Sequence, residues 1–198
     1  MRIIGITGGI GTGKSTILHL LEEKYQAYIV ETDKLAHELM KPGCFAYNKI
    51  VEHFGMKILL EDKNIDRTKL GGIVFHDERE RIALNDIVHP VVKQYIIADI
   101  ENKRREGFVK IYVIEAALLI EDGYKDICDE LWYIHVEKEE RIKRLLAGRG
   151  ESRKKWEAVI ESQSSEEFYK KNCEKIVDNS KNLEKTADIV NDLLYKTI

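Results

Sequence analysis

Gly8-Gly9-Ile10-Gly11-Thr12-Gly13-Lys14-Ser15 stands between an apolar, β-branched run at residues 2–7 (RIIGIT) and a segment at 15–25 in which Ile17, Leu18, Leu20 and Leu21 recur at helical spacing. The order is strand, glycine loop, helix. All eight residues fit the pattern GxxxxGK[ST], and a strand before with a helix after is the context that pattern requires. Its glycines let the backbone turn through positive φ and approach phosphate oxygens, while successive N–H groups and the helix N-terminus point at the anion. The stretch therefore predicts a phosphate cradle made by Gly9, Gly11, Thr12, Gly13, Lys14, Ser15 and Thr16. Lys14 is expected to bridge the β- and γ-phosphates of ATP, Ser15 to set its hydroxyl on Mg²⁺, and Thr16 to offer its backbone N–H to the α-phosphate.

Outward from the loop, a second apolar run at 27–31 (AYIVE) ends at Thr32-Asp33, after which Leu35, Ala36, Leu39 and Met40 follow a 3.6-residue period up to Lys41-Pro42-Gly43. From 45 to about 107 helix-like segments dominate, at 67–74, at 78–88 and a long one after Pro90 through 105. Strand character returns at 108–114 (FVKIYVI), continuing through 116–120, then at 131–136 (LWYIHV) and 175–178 (KIVD). Charged helices are expected at 139–146 and 153–163, separated by Gly148-Arg149-Gly150, and an amphipathic helix closes the chain at 182–195. Strands alternating with helices predict an α/β fold, a parallel sheet of about five strands with ligands at their carboxyl ends.

Composition narrows the class. The 198 residues suit one domain with excursions, and 43% apolar with 34% charged residues is the profile of a globular chain. A net charge of −3, from 32 basic against 35 acidic residues, gives no general attraction to nucleic acid, so an anion must be held by local geometry. Cys44, Cys128 and Cys173 form no CxxC pair and predict neither a disulfide framework nor a zinc site. Residues 1–7 run directly into the loop, no apolar stretch reaches spanning length, and a cytoplasmic location without membrane partners is the expectation.

The loop alone is shared by GTPases, helicases, transporters and small-molecule kinases. Further stretches discriminate: GITGGIGTGKST at 5–16, Asp33, LGGIVFHDERERIALNDIVHPVV at 70–92, LLIE at 118–121 and IVDNS at 176–180 together resemble the dephospho-coenzyme A kinase family. The resemblance spans nearly the whole chain, and Leu-Gly-x-x-Val-Phe followed by Leu-Asn-x-Ile-x-His-Pro is its most specific part. It implies transfer of the ATP γ-phosphate to the ribose 3′-hydroxyl of dephospho-coenzyme A, giving coenzyme A and ADP, by a monomer or weak homo-oligomer. It also implies a nucleoside-kinase-like layout, with a core at 1–33, 108–138 and 171–198, a helical substrate-binding insertion at 34–107 and a lid at 139–170. Where the related lid has a glutamine this chain has Arg141; Arg144-Leu145 matches, and the next arginine, Arg149, is one place late. Another small-molecule or nucleoside monophosphate kinase, or a P-loop ATPase switch, are the alternative readings.

By the resemblance, Asp33 orients or accepts the proton of the 3′-hydroxyl. Its place before a helix suits an N-cap equally well. Glu115, at the end of the third strand, stands where such proteins keep the acid that holds Mg²⁺, with Glu121 as runner-up. Arg144 and Arg149 are expected to neutralise the transferring phosphoryl; Glu137, Glu139 and Glu140 also suit a solvated ion-pair face. His89 and Arg81 are candidates for substrate contact, although a histidine before proline also reads as a helix-end group and Arg81 as a surface residue.

Overall fold

The computed structural model describes residues 1–195, the side chain of Arg149 excepted. In chain order the elements are β1 (Arg2–Thr7), α1 (Lys14–Tyr25), β2 (Tyr28–Glu31), α2 (Thr32–Leu39), α3 (Phe45–Phe54), α4 (Arg67–His76), α5 (Glu78–Glu106), β3 (Ile111–Glu115), β4 (Glu130–His135), α6 (Lys138–Arg149), α7 (Arg153–Glu161), α8 (Glu166–Asn172), β5 (Lys175–Asp178) and α9 (Leu183–Tyr195). The five strands form one sheet in the order β2-β3-β1-β4-β5. β1 pairs in parallel with β3 and β4, with Ile4 opposite Val113 and Glu130, and β4 pairs in parallel with β5.

β1 is central and apolar on both faces, as a strand covered on both sides must be. Ile17, Leu18 and Leu21 of α1 and Val190 and Leu194 of α9 pack with Ile4, Ile6, Val113, Trp132, Ile134 and Val177 of the sheet. The same strand is tied to the far end of the chain, because the Arg2 guanidinium donates to the carbonyls of Leu193 at 3.0 Å and Leu194 at 3.2 Å. These are carbonyls of the last turn of α9, which have no partner inside the helix. The three cysteines are free thiols. Among the described residues, no helix is long and apolar enough to cross a membrane.

The chain divides into two compact units, Val30–Glu106 and the remainder, Met1–Ile29 with Gly107–Ile198. The first is helical. Val88, Val92, Ile96 and Ile100 of α5, spaced four residues apart, make a buried stripe against which α2, α3 and α4 pack. Ala46, Ile50 and Phe54 of α3, Ile58 of a short 3-10 turn and Leu70 of α4 complete this second core.

Several boundaries differ from the sequence expectation. A break at Pro90 is expected, yet α5 continues through it. Pro90 is exposed, so the carbonyl four residues earlier, left without its helical donor, is open to water. His89 accordingly lies mid-helix and is not a helix-end group. β3 starts at Ile111, and the apolar run after Glu115 turns instead of extending, with the N–H of Asp122 bonded to the Leu118 carbonyl at 2.9 Å. A short apolar run of that kind suits strand and helix equally. α8 is an additional helix, capped by Ser165, whose hydroxyl accepts from the Phe168 N–H at 3.2 Å.

Candidate active site

The loop between β1 and α1 leaves the carboxyl end of the central strand. Gly13 is the N-cap of α1 at φ 80°, and a Cβ there would collide with the side-chain amide of Asn179. It has no side chain to cap the helix, so the N–H groups of Lys14 and Ser15 are uncapped and suit an anion, whereas the Thr16 N–H expected on the α-phosphate donates to the Gly13 carbonyl at 3.0 Å. Gly9 is constrained by proximity, since a Cβ on it would meet the Arg141 guanidinium and, at 2.6 Å, the Gln163 Oε1. Larger residues at these two places would displace the groups that hold the loop.

Lys14 opens α1 and folds back over the loop. Its Nζ donates to the Gly8 carbonyl at 2.8 Å and lies 3.6 Å from Glu115 Oε1 at the end of β3. The two side chains are only 19% and 13% exposed, so the pair is screened less by solvent and salt than a surface one. The Thr12 hydroxyl donates to the Gly9 carbonyl at 2.9 Å, closing the loop on itself. Ser15 and Thr16 are exposed on the first turn. A hydroxyl and a carboxylate, Ser15 and Glu115, are hard oxygen donors, and so small a protein set fits Mg²⁺, which keeps waters and phosphate oxygens as its other ligands. Glu121 is engaged elsewhere, accepting from the Ser164 hydroxyl at 2.9 Å.

Two braces hold the loop from distant parts of the chain. On one side Arg141 Nε donates to the Ile10 carbonyl at 2.9 Å and Arg141 Nη2 donates to Gln163 Oε1 at 2.8 Å, while the Ile10 N–H donates to that same Oε1 at 3.0 Å. Burial pulls the Arg141 guanidinium below its usual range, offset in part by the neighbouring Tyr133 and Tyr169 phenols. These two rings are stacked, with centroids 4.7 Å apart, and burial pushes the Tyr133 hydroxyl up to about 12. On the other side Asn179, just after β5, donates through Nδ2 to the Thr12 carbonyl at 2.9 Å and accepts through Oδ1 from the Thr186 hydroxyl at 3.0 Å. Arg144 Nη2 donates to the Asn179 carbonyl at 2.8 Å, and its Nε donates to Glu140 at 3.1 Å.

Lys14, Glu115, Arg141 and Arg144 are thus gathered about the loop. The Arg149 side chain lies outside the described residues. Asp33, in the other unit, is exposed in the first turn of α2, whose N-cap is Glu31. The capping alternative for Asp33 falls, because the helix begins at Thr32, two residues before Lys34, and no side chain makes a capping bond there. In the same unit Arg81 is 55% exposed and paired with Glu78 at 3.1 Å, and His89 is half-buried on α5. Sequence reasoning did not single out Gln163. Asn179 lay within the IVDNS stretch but carried no assigned role; a buried-side amide directly after a strand end was the one local signal.

A five-stranded parallel sheet with a lysine-bearing glycine loop at the end of its central strand defines a P-loop phosphotransferase of the kinase type. The comparisons agree with that class. The family model for dephospho-CoA kinase matches residues 2–185. Dephospho-CoA kinase of Carboxydothermus hydrogenoformans is 39% identical over 196 residues, covering 99% of this chain and 94% of that one. The enzyme of that name from Geobacter sulfurreducens is 39% identical over 180 residues, covering 91% and 90%. The solved dephospho-CoA kinase from Campylobacter jejuni shares the fold with a TM-score of 0.73 at 24% identity, covering 100% of this chain and 98% of that one. The chain belongs to the dephospho-CoA kinase family.

Proposed function

We propose that this protein transfers the γ-phosphoryl group of ATP to the ribose 3′-hydroxyl of dephospho-coenzyme A, the closing step of coenzyme A synthesis. The observation that carries it is the family match over residues 2–185, which takes in the loop, Asp33 and both braces. In the reaction the 3′-oxygen forms a bond to the γ-phosphorus, the bond from that phosphorus to the oxygen bridging to the β-phosphate breaks, and ADP leaves with the electron pair.

Such transfer depends on positioning and charge neutralisation more than on covalent help from the protein. The loop N–H groups and Lys14 hold the β- and γ-phosphates, and Lys14 turns from the Gly8 carbonyl towards them. Arg144 and Arg149 neutralise charge on the moving phosphoryl. Asp33, in the first turn of α2, orients the 3′-hydroxyl and takes its proton. Ser15 and Glu115 would hold Mg²⁺, which when bound neutralises the phosphate oxygens. His89 and Arg81 contact the acceptor from the helical unit. We assign the enzyme to the cytoplasm, as a monomer or weak homo-oligomer acting on small molecules and not on nucleic acid, in keeping with its net charge of −3.

The test is ADP release with dephospho-coenzyme A against a panel of nucleoside monophosphates, with the product's 3′-phosphate located by phosphorus NMR. Turnover confined to another nucleotide, or independent of any acceptor, sinks the proposal.

A further inference from the structure

Arg141 brings a charge to a place where a neutral donor would serve the brace. The guanidinium is half-buried, and among the described residues no carboxylate pairs with it. The groups that favour its charge are the phenols of Tyr133 and Tyr169. Both are neutral near pH 7, since burial raises them, Tyr133 to about 12. The cations around it on α6 and α7 are matched: Lys138 pairs with Glu161 at 3.0 Å, Lys143 and Arg144 with Glu140 at 3.5 and 3.1 Å, and Arg153 with Glu139 at 2.7 Å. An unpaired charge taken out of water is costly unless an anion comes to it. Because the related lid has a glutamine at this place, the charge is a feature of this chain and not of the loop motif.

The guanidinium also has donors to spare. Of its five N–H groups, Nε serves the Ile10 carbonyl and one on Nη2 serves Gln163, which leaves three, both of those on Nη1 among them. They lie at the loop, because Gly9 has no side chain and a Cβ on it would stand 2.9 Å from Arg141 Cζ. Lys14, the residue expected on the β- and γ-phosphates, rests its Nζ on the carbonyl of Gly8, one residue away. The two cations therefore meet the loop at adjoining residues, the end at which the proposed reaction puts the γ-phosphate. We infer that Arg141 is a nucleotide contact, its spare N–H groups binding the γ-phosphate of ATP while Nε keeps its hold on Ile10. A guanidinium suits that double task, since its planar fork grips phosphate oxygens through some donors and retains a bond through another. The inference rests on the proposed use of ATP and adds a further cation beside Lys14.

The experiment measures the affinities of the full chain for ATP and for ADP by calorimetric titration, with Mg²⁺ and without an acceptor. The wild type is expected to bind ATP about tenfold more tightly than ADP, the scale of one charge-assisted contact. Arg141→Gln, which keeps a donor for Ile10 but removes the charge, should lose most of that margin with ADP affinity unchanged. Arg141→Lys should keep part of it, because a charge remains without the fork. Gln163→Ala is the control for the brace: the charge stays, so ATP and ADP should weaken alike and the margin survive. The inference is overturned if the wild type shows no margin, if Arg141→Gln keeps it, or if that variant weakens ATP and ADP in parallel, as a purely bracing residue would. Should Arg141→Gln not fold, Arg141→Lys carries the test, and a margin equal to the wild type's overturns the inference. A wild type that shows the margin, loses it on substitution and yet makes no coenzyme A leaves the contact standing and removes the proposed acceptor instead.

Discussion

The phosphate loop and the helices of 30–106 hold their charged groups by opposite means. At the loop, Ile10 and Thr12 are fixed by side chains 131, 153 and 167 residues away in sequence, through partly or fully buried hydrogen bonds. In the helical unit the ion pairs are mostly three residues apart and exposed, as in Lys34–Glu31, Lys69–Asp66 and Arg81–Glu78. Exposed pairs of that kind contribute at most about 1 kcal/mol each, so the unit's stability rests on the α5 stripe and its side chains are left adaptable. A site for transfer chemistry has to be organised before the substrate arrives, because donors aimed in advance cost no rearrangement during the reaction. A surface that admits and releases a long acceptor gains from groups that change partners easily.

The largest effect should come from the pre-built side. Lys14→Ala is expected to lower kcat/KM by roughly 10³-fold, on the scale of losing a preorganised charge at the transition state; steady-state kinetics showing near-normal turnover would contradict the loop assignment. Asp33→Asn probes the adaptable side, with ATP affinity kept and kcat reduced about 10²-fold, the range of general-base loss. An unaltered kcat would strip Asp33 of its role and leave the helical unit with binding alone.

Gln163→Ala tests whether the brace matters to the loop it holds. It leaves the Ile10 N–H and one arm of Arg141 without an acceptor, a cost that corresponds to about a tenfold higher KM for ATP. kcat should change less, and the melting temperature little; a large drop in thermal stability with unchanged KM would make the brace purely structural. The smallest effect is expected at Glu140. Its carboxyl is held below the usual value of 4.5, chiefly by the hydrogen bond from Arg144. A carboxylate of lowered pKa adds stability above its unfolded value, and that increment disappears as the pH falls through the lowered folded value. Glu140→Gln should therefore melt slightly below the wild type at neutral pH, with the difference vanishing in acid. A difference that persists at low pH would point to packing and not to the charge pair.

What was legible in the sequence was local. The loop, β1 and α1 announce themselves through a motif joined to a change from continuous apolar to helical spacing, and the place of Glu115 at the end of β3 follows from the apolar run before it. Pro90 misled because the carbonyl it leaves without a donor is open to water, which lowers the cost of a proline inside a helix, and exposure does not show in one residue's identity. α8 was hidden because seven residues, mostly charged, carry too little periodicity to be seen. Gln163 escaped for a different reason: it acquires its role from Ile10, 153 residues earlier.

The braces also put the site on a timetable. The loop is made within the first fifteen residues of the chain, but Gln163 and Asn179, which hold it, come last. During synthesis the complete motif is therefore present long before the protein has the means to keep it in shape. A fragment ending ahead of Gln163 would pass any search for a nucleotide-binding pattern while lacking the two amides, Gln163 and Asn179, that hold Ile10 and Thr12.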